Sequence, residues 1–219
     1  MNYEFKDGLE FAKEMDRLDK MEKYKPLIHL LNNYGYKVSY FESIQEATYY
    51  ILKIVRNSTV GFGDSQTLKK MNLFEKLSQY NKVIDPSNYS DEEFISIAKK
   101  TLTTEIYFTS VNAVSETGEM VNIDGTGNRI AGSLFGHKKV FFIFGTNKIE
   151  PTLEKAIFRT RNIAAPMNAK RLNLNTPCAI KGDRCYNCSS ADRICNSMII
   201  HMRKMDSIEA EIIMINKEL

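Results

Sequence analysis

The sequence predicts an α/β domain: a mainly parallel sheet with helices on both faces. Short apolar runs alternate along the chain with longer segments of helical periodicity, an order typical of strands joined by crossover helices. The run Lys139–Phe144 is apolar on both faces of its pleat, as a central strand of a parallel sheet should be. The length of 219 residues suits one such domain, 1–219, with a small appendage.

The first elements are helical. Residues 5–22 have the spacing of an amphipathic helix, and a second helix begins at Pro26, a favoured first-turn residue, and runs to about Tyr34. Gly35 then stops it, so that residues 1–35 form an N-terminal helical segment. After a strand, Ser43 can cap a third helix, whose apolar face consists of Ile44, Ala47, Ile51, Ile54 and Val55.

The predicted strands are Tyr36–Phe41, Thr59–Phe62, Lys82–Asp85, Ile106–Ser110, Lys139–Phe144 and Ala210–Ile215. Further helices are predicted from Ser65, from Asp91 to about Thr103, and, as a long helix, from Pro151. A last helix, carrying His201, is expected just before the final strand. Ligands of parallel sheets bind in the loops at the carboxyl ends of the strands, so those loops are the place to look for function.

The loop after the second strand contains residues suited to an anion. Two glycines allow close backbone approach, and hydroxyl groups stand where a helix with free N–H groups begins. The residues are Gly61, Gly63, Ser65 and Thr67. The same pattern also fits an ordinary tight turn with a capping serine, and both interpretations stay open.

Two further strand ends add polar groups. A β-turn at Thr117-Gly118 would bring Asn112 and Asn122 together, and a glycine-rich segment then opens a helix. That segment contributes Asp124, Gly125, Thr126, Gly127, Asn128 and Arg129, and the loop after Phe144 contributes Asn147 and Lys148. We expect these loops and the first to converge on one anion-binding cleft, although asparagine, aspartate and glycine are also common in any tight turn. No catalytic residue is assigned.

All four cysteines of the chain fall within eighteen residues, at Cys178, Cys185, Cys188 and Cys195. The spacing, C-x6-C-x2-C-x6-C, lies on a turn-rich segment over 176–196 and predicts a metal centre with four thiolate ligands. A disulfide pair and four unligated thiols are the alternatives. Structural zinc sites usually have two CxxC-like knuckles and this segment has one, so a 4Fe–4S cluster is favoured, with zinc as the alternative. Basic residues at 181, 184 and 193 would offset the charge of a cluster.

Composition excludes several classes of protein. A net charge of +3 gives no reason to expect a nucleic-acid partner. No apolar run approaches the length of a membrane span, and the first residues lack the pattern of a secretory signal. Clustered cysteines without such a signal indicate a reducing compartment, so we expect a cytoplasmic protein.

Four segments together resemble the LUD (lactate utilisation) domain family, especially its short members with a cysteine-rich tail. They are SVNAVSETGEMVNIDGTGNRIAG, GTNKI, AAPMNAKRL and TPCAIKGDRCYNCSSADRICN. The resemblance covers nearly the whole chain and implies a fold like that of ribose-phosphate isomerases and CoA transferases. Some longer relatives belong to an iron–sulfur system that oxidises lactate to pyruvate, but this chain lacks their repeated ferredoxin-type motifs.

The sequence is compatible with three functions. The first is an iron–sulfur component of small-carboxylate metabolism, which binds an anionic metabolite and works with a redox protein partner or a second copy of the chain. The second is an isomerase or transferase for a phosphorylated or CoA-linked ligand, in which the metal is structural. The third is a module that senses such a metabolite and binds a partner.

Overall fold

The computed structural model of the protein describes residues 21–219. The predicted helix over 5–22 lies almost wholly outside these residues, as does more than half of the predicted helical segment over 1–35. Within the described part, helix α1 covers 21–33, so the predicted start at Pro26 is wrong: Pro26 lies inside the helix. Gly35 follows with a φ of +90°, the left-handed conformation that commonly ends a helix and that glycine adopts without strain.

A six-stranded sheet forms the centre of the fold. Its strands are β1 (Lys37–Phe41), β2 (Thr59–Phe62), β3 (Lys82–Ile84), β4 (Ile106–Ser110), β7 (Lys139–Gly145) and β10 (Glu209–Ile215). They lie in the order β1-β10-β7-β4-β2-β3, and every neighbouring pair is parallel. The predicted parallel sheet is confirmed, and each of its six predicted strands is right to within one residue at either end.

Helices cover both faces of this sheet. They are α2 (Ile44–Ile54), α3 (Gln66–Lys70), α4 (Leu73–Ser78), α5 (Asp91–Thr101), α6 (Asn128–Leu134), α7 (Leu153–Arg159), α8 (Ala165–Arg171) and α9 (Pro177–Lys181). Ser43 caps α2 as predicted, because its side chain accepts a hydrogen bond from Glu46 N. The predicted helix from Ser65 divides into α3 and α4 at Asn72, whose φ is +53°. One apolar core contains Phe142 and the other contains Phe108, on opposite faces of the sheet.

A second, smaller sheet was not predicted. It consists of β5 (Ala113–Ser115), β6 (Met120–Asp124), β8 (Ile149–Glu150) and β9 (Ser197–His201), in the order β8-β5-β6-β9. The turn that joins β5 to β6 lies at Thr117-Gly118, as predicted, and Gly118 N donates to Ser115 O.

The helix expected between the cysteines and the final strand is wrong. Residues 197–201 instead form β9, which pairs antiparallel with β6. Met198 and Ile200 point to one side of β9, where they pack against Ala156 of α7 and Val121 of β6. This alternation is that of a strand, and His201 at its end is buried beside Ser133 Oγ, at 3.1 Å from Nε2.

The long helix predicted from Pro151 is interrupted. A π-helical turn, Thr160–Ala164, joins α7 to α8. Pro166 has no N–H to donate to the carbonyl of Asn162, which explains why the regular α-helical pattern fails here. Such π-turns are frequent at functional sites. Among residues 21–219 no helix is both long enough and apolar enough to cross a membrane.

Candidate functional site

The carboxyl ends of β2, β4 and β7 meet at one edge of the main sheet. Lys148 Nζ, just after β7, donates to Ser110 Oγ at the end of β4 (2.8 Å) and to Thr67 Oγ1 in α3 (2.9 Å). Two arginines join this group through Asn112. The strand-end site, as we name it, consists of Thr67, Ser110, Asn112, Arg129, Lys148 and Arg159.

Asn112 is the hub of this site. Its side-chain oxygen accepts from Arg129 Nη2 (3.2 Å) and from Ile123 N (2.8 Å), while its backbone oxygen accepts from Arg159 Nη1 (2.5 Å). Its own N–H donates to Asn122 Oδ1 (3.1 Å), which confirms that the hairpin brings the two asparagines together. The guanidinium groups of Arg129 and Arg159 therefore both contact Asn112. This residue lies two positions after Ser110, to which Lys148 donates.

The cations of the site have few acidic partners. Arg129 binds two neutral oxygens, those of Asn112 and Ile123. Arg159 Nε lies 3.6 Å from Glu150 Oε1, a long and partly exposed contact. Burial, together with the positive charges of Arg159, Arg129 and Lys70, lowers the pKa of Lys148 to about 7. The arrangement is an electropositive cluster suited to a small anion.

Gly63 allows this close packing. A Cβ atom there would lie 2.9 Å from Arg129 Cγ and 2.8 Å from the hydroxyl of Tyr107. That hydroxyl is fully buried and has no hydrogen-bond partner among the described residues. A larger residue at 63 would displace Arg129, so this glycine serves the geometry of the site.

Several of the predicted ligand-binding residues have structural roles. Gly61 lies inside β2 rather than at its end, and a Cβ atom there would meet Thr104 Oγ1 at 2.6 Å, so it permits close packing of the segment after α5. Ser65 caps α3. Asp124 Oδ2 accepts from Ile130 N in the first turn of α6, and Asn147 holds Leu219 through two hydrogen bonds.

The turn between β6 and α6 borders the strand-end site. Gly127, with φ +91°, directly precedes α6, where Asn128 is the first residue and Arg129 the second. Thr126 is exposed, and the space beside Gly127 is open. Gly125 instead faces the cysteine segment, where a Cβ atom would lie 2.8 Å from Ile194 O. A role of Thr126, Gly127 and Asn128 in ligand binding stays a prediction.

The four cysteines line one common cavity, which opens to solvent. We call it the cysteine cavity. Cys178 lies in α9, Cys185 and Cys188 in the loop that follows, and Cys195 two residues before β9; all four are half-buried and free of disulfides. Within residues 21–219, no three side chains of histidine, cysteine, aspartate or glutamate are grouped tightly enough to hold a single metal ion.

The wall of the cysteine cavity is partly apolar and partly basic. Ala165, Pro166 and Ala169 of α8 line it, as do Arg161 and Arg193. Donors face the sulfur of Cys185: Asn187 N at 3.3 Å and Arg161 Nη2 at 4.0 Å. Arg193 binds the carbonyl oxygens of two ligand candidates, Cys188 (2.7 Å) and Cys195 (3.1 Å). These donors fit an anionic, thiolate-ligated group.

The cysteine cavity and the strand-end site are neighbours. Asn196, next to Cys195, donates from its backbone to Asp124 O (3.0 Å) and from its side chain to Gly125 O (3.1 Å). On the other side, one continuous helical segment carries Arg159 to the strand-end site and Arg161 to the cavity. Two hydrogen bonds of Asn196 and one helical segment therefore connect the two sites.

Sequence reasoning missed three of these residues. Ser110 ends a predicted strand, so its position at the sheet edge could have identified it. Arg159 and Arg161 lie in a helical segment that is remote in sequence from the strand ends. They reach the two sites because α7 packs against the small sheet. No local signal distinguishes them from surface arginines.

Comparison with known proteins gives a family and a fold. The model of the LUD domain matches residues 24–215. A comparison with curated proteins finds no match. Among solved structures, a DUF162 family protein from Deinococcus radiodurans is similar to this chain at 12% identity with a TM-score of 0.52, over 89% of this chain and 97% of that one.

Two further similarities are partial. Ribose 5-phosphate isomerase A from Neisseria gonorrhoeae matches 50% of this chain and 54% of its own, at 19% identity and a TM-score of 0.34. The δ subunit of eIF2B from Chaetomium thermophilum matches 60% of this chain and 54% of its own, at 13% identity and the same TM-score. Because the model of the LUD domain matches most of the chain, the protein belongs to the LUD domain family.

Proposed function

We propose that this LUD-domain protein holds a 4Fe–4S cluster on Cys178, Cys185, Cys188 and Cys195, and that it works in small-carboxylate, lactate-type metabolism in the cytoplasm. One observation carries the proposal: four cysteines line a single cavity that adjoins a cationic site. Membership of the family supports the connection with lactate utilisation. The strand-end site would bind the carboxylate, through Arg129 and Arg159.

The surroundings of the cysteines favour a cluster over a zinc ion. Zinc requires four donors at about 2.0–2.3 Å from one centre, which is a tight group of side chains. A cluster is larger, and its thiolates are held further apart, so four cysteines that line one cavity without forming a tight group of ligands fit a cluster better than a zinc ion. Its negative charge is offset by N–H groups and cations, here those of Asn187, Arg161 and Arg193. When bound, such a cluster exchanges single electrons.

The charge distribution favours an acidic redox protein as the partner. Residues 153–196 carry eight lysines and arginines and three aspartates and glutamates, a net charge of +5 in a chain whose total is +3. The α7–α8 segment, beside the cavity, also exposes Phe158, Ile163 and Met167, at 58%, 41% and 66%. The three exposed side chains lie within ten residues of one helical segment, so we expect them to form one apolar strip with a basic surround.

Spectroscopy of protein made without oxygen tests the cluster. The protein is expected to be brown and to give an electron paramagnetic resonance signal after reduction. Cys188→Ser should lose most of the colour, whereas Ser189→Ala, a change at the adjacent exposed residue, should keep it. A colourless protein with stoichiometric zinc would contradict the cluster and favour the second function, an isomerase or transferase with a structural metal.

Two further experiments test the carboxylate site and the acidic redox partner. Lactate and pyruvate should bind the wild type and bind Arg129→Ala less well, with the exposed Arg203→Ala as control. An acidic flavodoxin should exchange electrons with the protein at a rate that falls with salt and with Met167→Glu. Dimerisation through the same apolar strip, lost in Met167→Glu, would instead identify a second copy as the partner.

A further inference from the structure

Lys148 is buried without a carboxylate partner. Its side chain is 9% exposed, and its Nζ contacts two hydroxyl groups, those of Thr67 and Ser110. Among the ion pairs of the described residues none includes Lys148. A permanently charged ammonium in such a place would lack the compensation that buried charges normally have.

The charged groups around Lys148 come from three elements and are positive. Lys70 is the last residue of α3, Arg129 is the second residue of α6, and Arg159 is the last residue of α7. Each of them opposes protonation of Lys148, and burial is the largest effect, so its pKa falls to about 7. Glu150 is the acidic group nearest to Arg159, to which its oxygen lies at 3.6 Å. About half of the amine is therefore neutral at pH 7.

The hydrogen bonds leave the amine one free direction. An amine nitrogen has four positions, one taken by the Cε atom and two by the hydrogens donated to Thr67 and Ser110. The Ser110 hydroxyl itself donates to Thr67 Oγ1, at 3.3 Å, so it does not occupy the remaining position. In the neutral amine that position is a lone pair, which is what a nucleophile requires.

We propose that Lys148 forms a reversible imine with the keto carbon of a 2-oxo acid whose carboxylate lies against Arg129 and Arg159. The inference rests on the anion site of the proposed function and adds the reacting residue and the substrate class. The lone pair of Nζ attacks the keto carbon, and the C=O electron pair moves to oxygen, which takes a proton. Loss of that oxygen as water, with the remaining proton from nitrogen, gives the C=N bond, and hydrolysis reverses the reaction.

The positions of the cations select a 2-oxo acid among carbonyl compounds. Arg129 and Arg159 both contact Asn112, two residues beyond Ser110, and both act electrostatically on Lys148, so a carboxylate held by them would lie in the same site as the amine. A ketone without a carboxylate would lack this anchor. A carboxylate without a carbonyl would bind but could not react, and lactate belongs to that class.

Reductive trapping tests the proposal on the full-length protein. Pyruvate and cyanoborohydride are added at pH 7.5, and the modified lysine is located by peptide mass spectrometry. Hydride transfer to the imine carbon leaves a stable secondary amine on the reacting lysine. We expect Lys148 to be modified on the order of a hundredfold faster than an exposed lysine such as Lys82. The reason is that a large fraction of the Lys148 amine is neutral at pH 7.5.

The controls separate this inference from the anion site. Lactate should compete with trapping, acetone should be trapped much less than pyruvate, and Lys148→Met should abolish the adduct while keeping the circular dichroism of the wild type. If pyruvate binds but modifies Lys148 no faster than Lys82, the imine is refuted and the anion site stands. If pyruvate does not bind at all, both are refuted. Because mapping is done on the wild type, a variant that fails to fold does not affect the decision.

Discussion

The buried amine of Lys148 should make the stability of this protein depend on pH in a characteristic way. In the folded chain its pKa is about 7, whereas an unfolded lysine has a pKa near 10.4. Below pH 7 both states carry the charge, and the folded state bears the full cost of burying it. Between about pH 7 and pH 10 the unfolded chain binds more protons, so stability rises with pH; above both pKa values the cost is gone.

The size of the effect follows from the shift. The fall in the pKa of Lys148 from its value in the unfolded chain to about 7 corresponds to about 5 kcal/mol of unfolding free energy. About half of this free energy, roughly 2.5 kcal/mol, is recovered between pH 6 and pH 9. Lys148→Met keeps a side chain of similar length and removes the titrating group. The variant also loses the bonds to Thr67 and Ser110, but that loss is the same at every pH and cancels from the comparison.

Urea unfolding at pH 6, 7.5 and 9 measures this difference. Relative to Lys148→Met, the wild type should gain roughly 2.5 kcal/mol of unfolding free energy from pH 6 to pH 9. Lys82→Met, in the exposed edge strand β3, is the matched control and should follow the wild type. Parallel curves for the wild type and Lys148→Met would show that the amine is charged in the folded protein, and the electrostatic account of the strand-end site would be wrong.

Three further outcomes are expected. Arg129→Ala should weaken pyruvate binding, measured by calorimetry, by about 1.5–3 kcal/mol, because a direct charge-assisted hydrogen bond is lost; unchanged affinity would remove Arg129 from the site. Cys185→Ser should raise hydrogen exchange over 176–196 and leave the sheet protected, since the segment has few apolar residues and the proposed cluster would hold it in place; loss of protection everywhere would contradict this. Glu211→Ala should lower the urea midpoint by the equivalent of about 3–5 kcal/mol, since it leaves Lys139, 2.7 Å from the carboxylate, without its partner; a midpoint near that of the wild type would show the pair to be dispensable.

The main sheet could be predicted because its strands are long and apolar enough to have a pattern of their own. Once the strands are parallel, the convergence of their carboxyl ends follows, and Thr67, Asn112, Arg129 and Lys148 were predicted to lie together for this reason. The second sheet could not be found, because β5 has three residues and β8 has two. Runs that short have no periodicity to detect.

Other errors came from patterns that fit two structures equally. The apolar stretch Met198–Ile200 suits a helix or a strand, and only pairing with β6 decides. Gly61 could admit a ligand or a neighbouring segment, and the contact with Thr104 shows the latter. Arg159 reaches the site from a distant helix, which no local sequence feature reveals.

The iron and inorganic sulfide content of the chain shows whether the four cysteines hold a 4Fe–4S cluster. Native mass spectrometry of wild-type protein, prepared and sprayed without oxygen, reports what the four cysteines hold in one measurement. We expect the chain to carry about four irons and about four sulfides, and to lose both when Cys188 is replaced by serine. A chain that carries one zinc ion and no sulfide would contradict it.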